Sequence, residues 1–375
     1  MKKKYIIPIY LLLAACSSNE TLPTTDVDPE QSTDVAFSAS ISGGGSTGRA
    51  DDEPYKHNQF ILDRSRIRVV NTVNYSTPDF TDATEGESSE YKEYKYTKKV
   101  ENENEINFTP YQENGFNWND IRPTAASFIF EAACYPSEYK YFSEVAADQS
   151  TLENFWKADL LLAHHAQPLS QRYDLVQLKF HHVFAMVRVE IDLPISDPYE
   201  AGGFPEDAIT KVELVDMQVG YHVDYTSAIG NNECRTVTAS GANKANISMY
   251  HLNPDEEPVF EGNVRKQHYE FCGIVPVQSI MNKDLVRFTI RTYTGEVSND
   301  EQPVIDEDKT YIFHPGAADS GMETTTINLT QEWITVLNLS VTHTPQQTIL
   351  LNAKIQPWDN AYTEMDMSPV TDTGE

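Results

Sequence analysis

Positive charge is scarce in this chain of 375 residues. It contains 28 lysines and arginines against 57 aspartates and glutamates, which gives a formal net charge of −29. A surface this acidic repels the phosphates of nucleic acids and of anionic lipid headgroups. The composition therefore excludes nucleic acid as a partner, and it excludes attachment to a membrane through surface charge alone.

Cysteines and long apolar runs are also few. The four cysteines are Cys16, Cys134, Cys234 and Cys272. Three of them lie beyond the N-terminal segment, and this odd number argues against a disulfide framework. We expect Cys134 and Cys272 to be small buried strand residues. Apart from residues 5–15, no apolar run approaches the length that a membrane-spanning helix needs.

The familiar motifs of enzymes and metal sites are missing as well. There is no His-Glu-x-x-His, and no glycine-rich phosphate loop leads into a helix. Two histidine pairs occur, His164-His165 and His181-His182, but neighbouring strand residues point to opposite faces and rarely bind one metal together. Gly44-Gly45-Ser46-Thr47-Gly48 fits the serine hydrolase pattern, yet no apolar helix follows it. We therefore predict no enzymatic activity, no metal and no cofactor.

The N-terminus has the features of a lipoprotein signal. Three lysines precede the short apolar run at residues 5–15. Cys16 follows this run directly and completes the sequence Leu13-Ala14-Ala15-Cys16. About eleven residues are too few to span a hydrocarbon core of ~30 Å. We predict that residues 1–15 are a signal peptide and that the Cys16 thiol carries the lipid. Residues 16–33 are polar and contain two prolines, which predicts a flexible tether.

The rest of the chain shows the alternation of β-strands. Residues 35–41 alternate with period two, and a short helix or turn is predicted at residues 152–157. The longest signal, residues 175–193, changes phase at His181-His182, which predicts a bulge or bend. Many short strands separated by turns indicate an all-β protein with two β-sandwich domains in tandem, at residues 34–170 and 171–375.

Several short motifs, taken in order, resemble the fimbrillin family, the lipoprotein-precursor subunits of type V pili of Bacteroidota. They follow the lipobox at Cys16 and the glycine-rich segment that reaches Arg49. They are Ala132-Ala133-Cys134-Tyr135-Pro136, Asp159-Leu160-Leu161-Leu162-Ala163, Leu178-Lys179-Phe180-His181-His182-Val183-Phe184, Gly273-Ile274-Val275-Pro276 and Ile355-Gln356-Pro357-Trp358. The resemblance implies that both sandwiches are transthyretin-like.

Two segments depart from the family pattern. Leu62-Asp63-Arg64-Ser65-Arg66-Ile67 is only a loose version of an early Asp-x-Ile strand. The seventeen residues after Trp358 are polar and do not alternate, so they are a weak candidate for a C-terminal donor strand. Stalk, tip and accessory positions in a pilus therefore all stay open.

The resemblance implies a structural or adhesive subunit of fimbriae. Such a chain is exported as a lipoprotein, is held at the outer membrane through Cys16, and is cut between Arg49 and Ala50 at the cell surface. It then joins the same or related subunits by strand exchange, and it contacts host or bacterial surface ligands. The strand within the removed segment, called the plug strand below, comprises residues 35–41, with its inward side chains at Val35, Phe37, Ala39 and Ile41. The alternative is a surface lipoprotein that binds glycans without polymerising.

Overall fold

The computed structural model describes residues 33–42, 65–73, 77–80, 90–99, 106–111, 115–134, 144–227, 229, 234–241, 243–254, 257–315, 326–341 and 348–357. Within these ranges nearly all regular structure is β, with one α-helix and one short 3₁₀ helix at Leu169–Gln171. The predicted all-β class is therefore confirmed. No helix in the described part of the chain is long and apolar enough to cross a membrane.

Seven strands make up the first sheet, and the sheet closes on itself. The strands are β1 (Phe37–Ile41), β2 (Arg66–Thr72), β3 (Lys92–Lys99), β4 (Ile106–Pro110), β5 (Ser127–Cys134), β6 (Leu161–Pro168) and β7 (Val176–His182). Their order around the sheet is β1-β4-β3-β2-β5-β6-β7. The N-terminal half is thus a closed barrel, where the sequence predicted a sandwich of separate sheets. The physical reason is that β1 is paired on both sides.

Strand β1 closes this barrel through two different ladders. It pairs in parallel with β7, from Phe37 opposite Val176 to Ile41 opposite Phe180. It pairs antiparallel with β4 over a shorter stretch, where Phe37 lies opposite Phe108. The contact with β7 begins one residue before β1, where Val176 N donates to the Ala36 carbonyl at 2.9 Å. The barrel therefore depends on β1 for continuity between β4 and β7.

A short helix, α1 (Leu152–Lys157), lies between β5 and β6 at the predicted position. The Thr151 hydroxyl caps its first turn by accepting from the backbone N of Asn154 at 3.2 Å. Phe155 and Trp156 are buried. These two aromatic side chains fix the helix to the body, because six residues are too few to be helical alone.

The chain leaves the barrel between β7 and β8 (Ala185–Pro194). The predicted break at His181-His182 comes slightly later, at Val183 and Phe184, which lie outside both strands. Both residues are buried, so the break is a change of direction inside the protein. The division into domains at residues 170 and 171 stays a prediction; in the sheets, the change falls between His182 and Ala185.

The remaining strands build the C-terminal half. After β8 they are β9 (Ile209–Gln218), β10 (Tyr221–Asp224), β11 (Thr236–Ala239), β12 (Lys244–Ser248), β13 (Tyr250–His251), β14 (Val259–Glu261), β15 (Val264–Val275), β16 (Gln278–Met281), β17 (Val286–Val297), β18 (Pro303–Phe313), β19 (Thr326–Leu329), β20 (Trp333–Val341) and β21 (Thr348–Pro357). One sheet has the order β12-β9-β17-β18, and a larger one contains β13-β15-β8-β20-β21. Two small pairs, β10-β11 and β16-β19, complete the set.

The two large C-terminal sheets share one apolar core. Val187 and Val189 of β8 pack in the same cluster as Leu214 of β9 and Phe288 of β17. Since the cluster draws on both sheets, they pack face to face as a sandwich does. This arrangement agrees with the predicted C-terminal β-sandwich.

A separate apolar core joins the barrel to the C-terminal half. Ala133 of β5 and Leu162 of β6 belong to the same buried cluster as Cys272 and Ile274 of β15 and Val336 of β20. The same cluster includes the linking residue Phe184. Because apolar side chains from both halves exclude water together, the halves are packed against each other by hydrophobic burial.

Candidate functional site

The plug strand is an apolar element buried on its inner face. Its inward side chains are nearly inaccessible, with exposed fractions of 4% for Val35, 1% for Phe37, 3% for Ala39 and 6% for Ile41. Ser40 points outward and is exposed. The segment carries no charged residue from 35 to 42. The predicted inward face is therefore present, Ser38 of the opposite face is buried as well, and the seat that receives this strand is apolar.

Phe37 makes the most specific contacts in this seat. Its ring meets Tyr94 edge-on, with centroids 4.8 Å apart, and meets Phe130 in the same manner at 5.3 Å. Edge-to-face aromatic pairs at these distances add about 0.5–1.5 kcal/mol beyond the burial of area. Phe37 thus joins the plug strand to β3 and β5 across the interior of the barrel.

The chain before β1 is also anchored, which the sequence analysis missed. Val35 N donates to the carbonyl of Phe116 at 2.8 Å, and Trp118 N donates to the carbonyl of Thr33 at 2.8 Å. The Asn117 side-chain amide donates to the Thr33 hydroxyl at 2.9 Å. Residues 33–35 therefore continue the plug strand against the segment before β5. The partner segment alternates over Phe116-Asn117-Trp118-Asn119, and this short signal could have indicated an extended segment here.

Tyr94 supports this partner segment from inside the barrel. Phe116 N donates to the Tyr94 hydroxyl oxygen at 2.7 Å. Burial raises the pKa of Tyr94 well above its usual range, so the hydroxyl stays protonated. Gly115 lies against this contact, and a Cβ there would come within 2.9 Å of the Tyr94 hydroxyl and 2.8 Å of Pro110 Cγ. Only glycine lets the segment approach so closely.

The other predicted processing residues lie outside the described part of the chain. This holds for Cys16, for Arg49 and Ala50, and for the Gly44–Gly48 pattern. Their roles therefore remain predictions. The described residues around the plug strand end at Ser42, whose backbone N donates to the Phe180 carbonyl at 2.6 Å.

A buried ion pair connects the barrel to the C-terminal half. Glu131 of β5 and Arg235, which precedes β11, are each 2% exposed, and the carboxylate accepts from Nη2 and Nε of the guanidinium. His164 Nδ1 lies 2.7 Å from Glu131 Oε1. Arg235 also donates to the Ser227 carbonyl at 3.0 Å. Removing either charge leaves the other buried without its main partner, so the pair fixes how the halves meet.

The two histidines at the end of β7 contact two separate carboxylates. His181 Nδ1 lies 2.5 Å from Glu332 Oε1, and His182 Nδ1 lies 3.0 Å from Asp159 Oδ1. Both rings are buried. The prediction that neighbouring histidines face opposite sides is confirmed.

The three described cysteines are free thiols in different surroundings. Cys134 and Cys272 are buried strand residues, as predicted, and burial raises the pKa of Cys134 to about 12. Cys234 is partly exposed and accepts a hydrogen bond from Gln331 Nε2 at 2.8 Å. Burial and the nearby Glu332 carboxylate raise the pKa of Cys234 to about 12.

Among the described residues, one group of three has the side chains and spacing of metal ligands. His181, Cys234 and Glu332 each offer one ligand atom, and these atoms lie within 4.8 Å of one another. The sequence analysis predicted no metal site, because the three residues are far apart in the chain and form no spacing motif. Their proximity comes from tertiary structure alone.

Comparison with known proteins gives similarity at the level of structure only. No protein-family model matches the sequence, and no curated protein matches it. The chain is similar to a "putative cell adhesion protein" from Bacteroides uniformis, with 14% identity and a TM-score of 0.47 over 87% of this chain and 99% of that one. A second from Bacteroides ovatus has 15% identity and a TM-score of 0.45, over 87% and 97%.

A structure described as a tip fimbrial protein is similar too. The protein is Mfa3 from Porphyromonas gingivalis with a C-terminal truncation, with 10% identity and a TM-score of 0.33 over 86% of this chain and 99% of that one. Cell adhesion and fimbrial proteins are the class that the sequence motifs resemble.

Proposed function

We propose that this chain is a structural or adhesive subunit of fimbriae, exported as a lipoprotein and assembled by strand exchange after its N-terminal strand is removed. The observation that carries the proposal is the plug strand, which is uncharged, paired at both edges and buried on its inner face. Cys16 precedes this strand and Arg49 follows it, in the order that the resemblance to fimbrillins implies.

Loss of β1 would open the barrel along a full strand. Strands β4 and β7 meet only through β1 in the sheet order, so both would gain a free edge. A free edge beside an apolar groove is a template for a strand from another chain. The incoming strand would need the same alternation of apolar side chains as the outgoing one, because the seats of Phe37 and Ile41 face inward.

The free energy of burying the inward side chains determines how strongly the groove binds a strand. Full burial of an aliphatic or aromatic side chain contributes about 1.5–3 kcal/mol, so Val35, Phe37 and Ile41 together give roughly 5–9 kcal/mol as an upper estimate. An incoming strand with comparable side chains would recover this free energy. Because head-to-tail addition does not close on itself, repeated exchange produces a filament.

The lipid and the plug strand would leave together. Cleavage after Arg49 separates residues 16–49, which carry the predicted lipid at Cys16, from the body that begins at Ala50. The outer membrane is then a partner of the precursor, and other fimbrial subunits are partners of the mature chain. Surface ligands of host or bacterial origin would contact the assembled fimbria.

Replacement of Arg49 by glutamine tests the processing step. We expect an arginine-specific protease to generate a mature chain that starts at Ala50 from the wild-type protein and from the control Arg64→Gln, but not from Arg49→Gln. N-terminal sequencing of the products provides the measurement. Recovery of the Ala50 terminus from Arg49→Gln would refute the proposed site.

Oligomer formation tests the assembly step. We expect the processed wild-type chain to form a heat-resistant ladder on denaturing gels and surface filaments in electron micrographs, and Arg49→Gln to remain monomeric. Monomers throughout, combined with affinity for polysaccharide, would instead support a glycan-binding surface lipoprotein.

A further inference from the structure

Three segments from different parts of the fold bring metal-binding side chains together. His181 is the penultimate residue of β7 in the barrel, Cys234 lies just before β11, and Glu332 lies in the turn between β19 and β20. Imidazole nitrogen, cysteine sulfur and carboxylate oxygen are the ligands that Zn²⁺ takes in proteins. We propose that His181, Cys234 and Glu332 bind one zinc ion, with water as the fourth ligand.

The distances allow a tetrahedral site with small side-chain movements. Bonds of ~2.0–2.3 Å from zinc to nitrogen, oxygen and sulfur place tetrahedral ligand atoms roughly 3.3–3.6 Å apart. The three ligand atoms all lie within 4.8 Å of one another, and His181 Nδ1 is 2.5 Å from Glu332 Oε1. Each ligand atom needs to move by only about 1 Å to surround an ion.

His181 provides a second and independent indication of a ligand. Its side chain is 2% exposed, and Nε2 has no hydrogen-bond partner within the described part of the structure. A buried polar nitrogen without a partner costs roughly 1–3 kcal/mol, so a purely structural histidine is expected to satisfy both ring nitrogens. Nδ1 faces the Glu332 carboxylate, so one ring nitrogen is directed at the proposed site while the other has no partner among the described residues.

The neighbouring residues hold the other two ligands in position. Gln331 Nε2 donates to Cys234 Sγ at 2.8 Å and also to the Arg235 carbonyl at 2.8 Å. The backbone N of Glu332 donates to the Phe184 carbonyl at 3.0 Å. Such outer contacts orient metal ligands, and Gln331 is therefore a positioning residue for Cys234.

The backbone at Glu332 has a conformation that glycine would adopt more easily. Its φ is +62°, in the left-handed region that disfavours residues with a Cβ. A glutamate at this position costs more than glycine or asparagine would, and the carboxylate it supplies is the one beside His181.

An ion can reach the site from solvent. The Glu332 side chain is 31% exposed and Cys234 is partly exposed, while His181 forms the buried end. Lys179 is a nearby positive charge, but it lies on the exposed face of β7, where water screens it. Bound zinc would connect the barrel strand β7 with two segments of the C-terminal half, whatever the function of the plug strand.

Cobalt titration of the full-length, tag-free chain tests the proposal, because cobalt replaces zinc and reports thiolate ligation by a near-ultraviolet charge-transfer band. We expect one Co²⁺ per chain, displacement by Zn²⁺, and no such band in Cys234→Ser. His181→Gln and Glu332→Gln should weaken binding by at least about tenfold. The exposed His222 and Cys16, which lies outside the described residues, provide controls, so His222→Gln and Cys16→Ser should bind as the wild type does.

Thermal melting separates lost ligation from lost folding. We expect Zn²⁺ to raise the melting temperature of the wild type and of His222→Gln by more than that of Glu332→Gln, with the differences among the three variants unaffected by zinc once a chelator is present. Absence of the charge-transfer band in the wild type, or its persistence in Cys234→Ser, would overturn the proposal. Equal cobalt affinity in Glu332→Gln and His222→Gln would do the same, even if Cys234→Ser fails to fold.

Discussion

Replacement of Phe37 by alanine is the most direct probe of the plug strand. Phe37 is 1% exposed and contacts Tyr94 and Phe130 edge-on. Replacement of a buried phenylalanine by alanine typically costs 3–5 kcal/mol, since burial is lost and a cavity remains. We expect the barrel of the uncut precursor to be destabilised by about this amount. The equilibrium for keeping the strand seated should shift by about a hundredfold to a few thousandfold.

Urea unfolding of the uncut chain, followed by tryptophan fluorescence, measures this change. Trp118 lies in the same cluster as Phe37 and is buried, so it reports on the barrel. Ser40→Ala, on the exposed face of the same strand, is the matched control and should change stability by less than about 0.5 kcal/mol. After cleavage at Arg49 and loss of the strand, the wild type and Phe37→Ala become the same molecule and must unfold identically.

Two results would refute this reasoning. If Phe37→Ala and Ser40→Ala unfold at the same urea concentration, the plug strand contributes little to the barrel. If the cleaved forms of wild type and Phe37→Ala still differ, the strand has remained bound after cleavage.

Two further predictions concern the polar contacts. Glu131→Gln should destabilise the protein by about 3–5 kcal/mol in urea unfolding, because Arg235 is left buried without its carboxylate; a loss below about 1 kcal/mol would contradict this. Hydrogen bonds to Asp192 and then Glu270 raise the pKa of His268 from 6.5 to about 10. Its stabilising effect should therefore be complete below about pH 6.5 and lost as the pH rises to about 10. Unfolding of wild type and His268→Gln across this range should show their difference shrinking, and a constant difference would refute the assignment.

Local patterns in the sequence predict the elements of this fold well. The helix or turn predicted at residues 152–157 is α1. The alternation at residues 35–41 correctly gives the buried face of β1. In each case one side of the element faces a core, so apolar residues recur along the sequence with the period of that element.

Contacts between distant segments could not be predicted in this way. Closure of the barrel depends on the parallel pairing of β1 with β7, and no local period encodes which strands become neighbours. The ion pair of Glu131 with Arg235 and the cluster of His181, Cys234 and Glu332 have the same origin. Each member looks like an ordinary polar residue in its own segment. The side chains that these residues contact become known only from the folded structure.

The energetics of the plug strand also explain why cleavage would have to precede assembly. Outgoing and incoming strands would make similar backbone hydrogen bonds with β4 and β7, so these bonds contribute little to the free-energy difference between the two strands. Their inward side chains would occupy the same apolar positions in the groove and also contribute little to that difference. While Arg49 is intact, the plug strand belongs to the same chain, with an effective concentration on the order of millimolar. A neighbouring subunit at about micromolar concentration then faces a thousandfold disadvantage, or about 4 kcal/mol. Cleavage removes that advantage without changing any contact in the groove, so a single cut between Arg49 and Ala50 would be enough to let a neighbouring strand compete on equal terms.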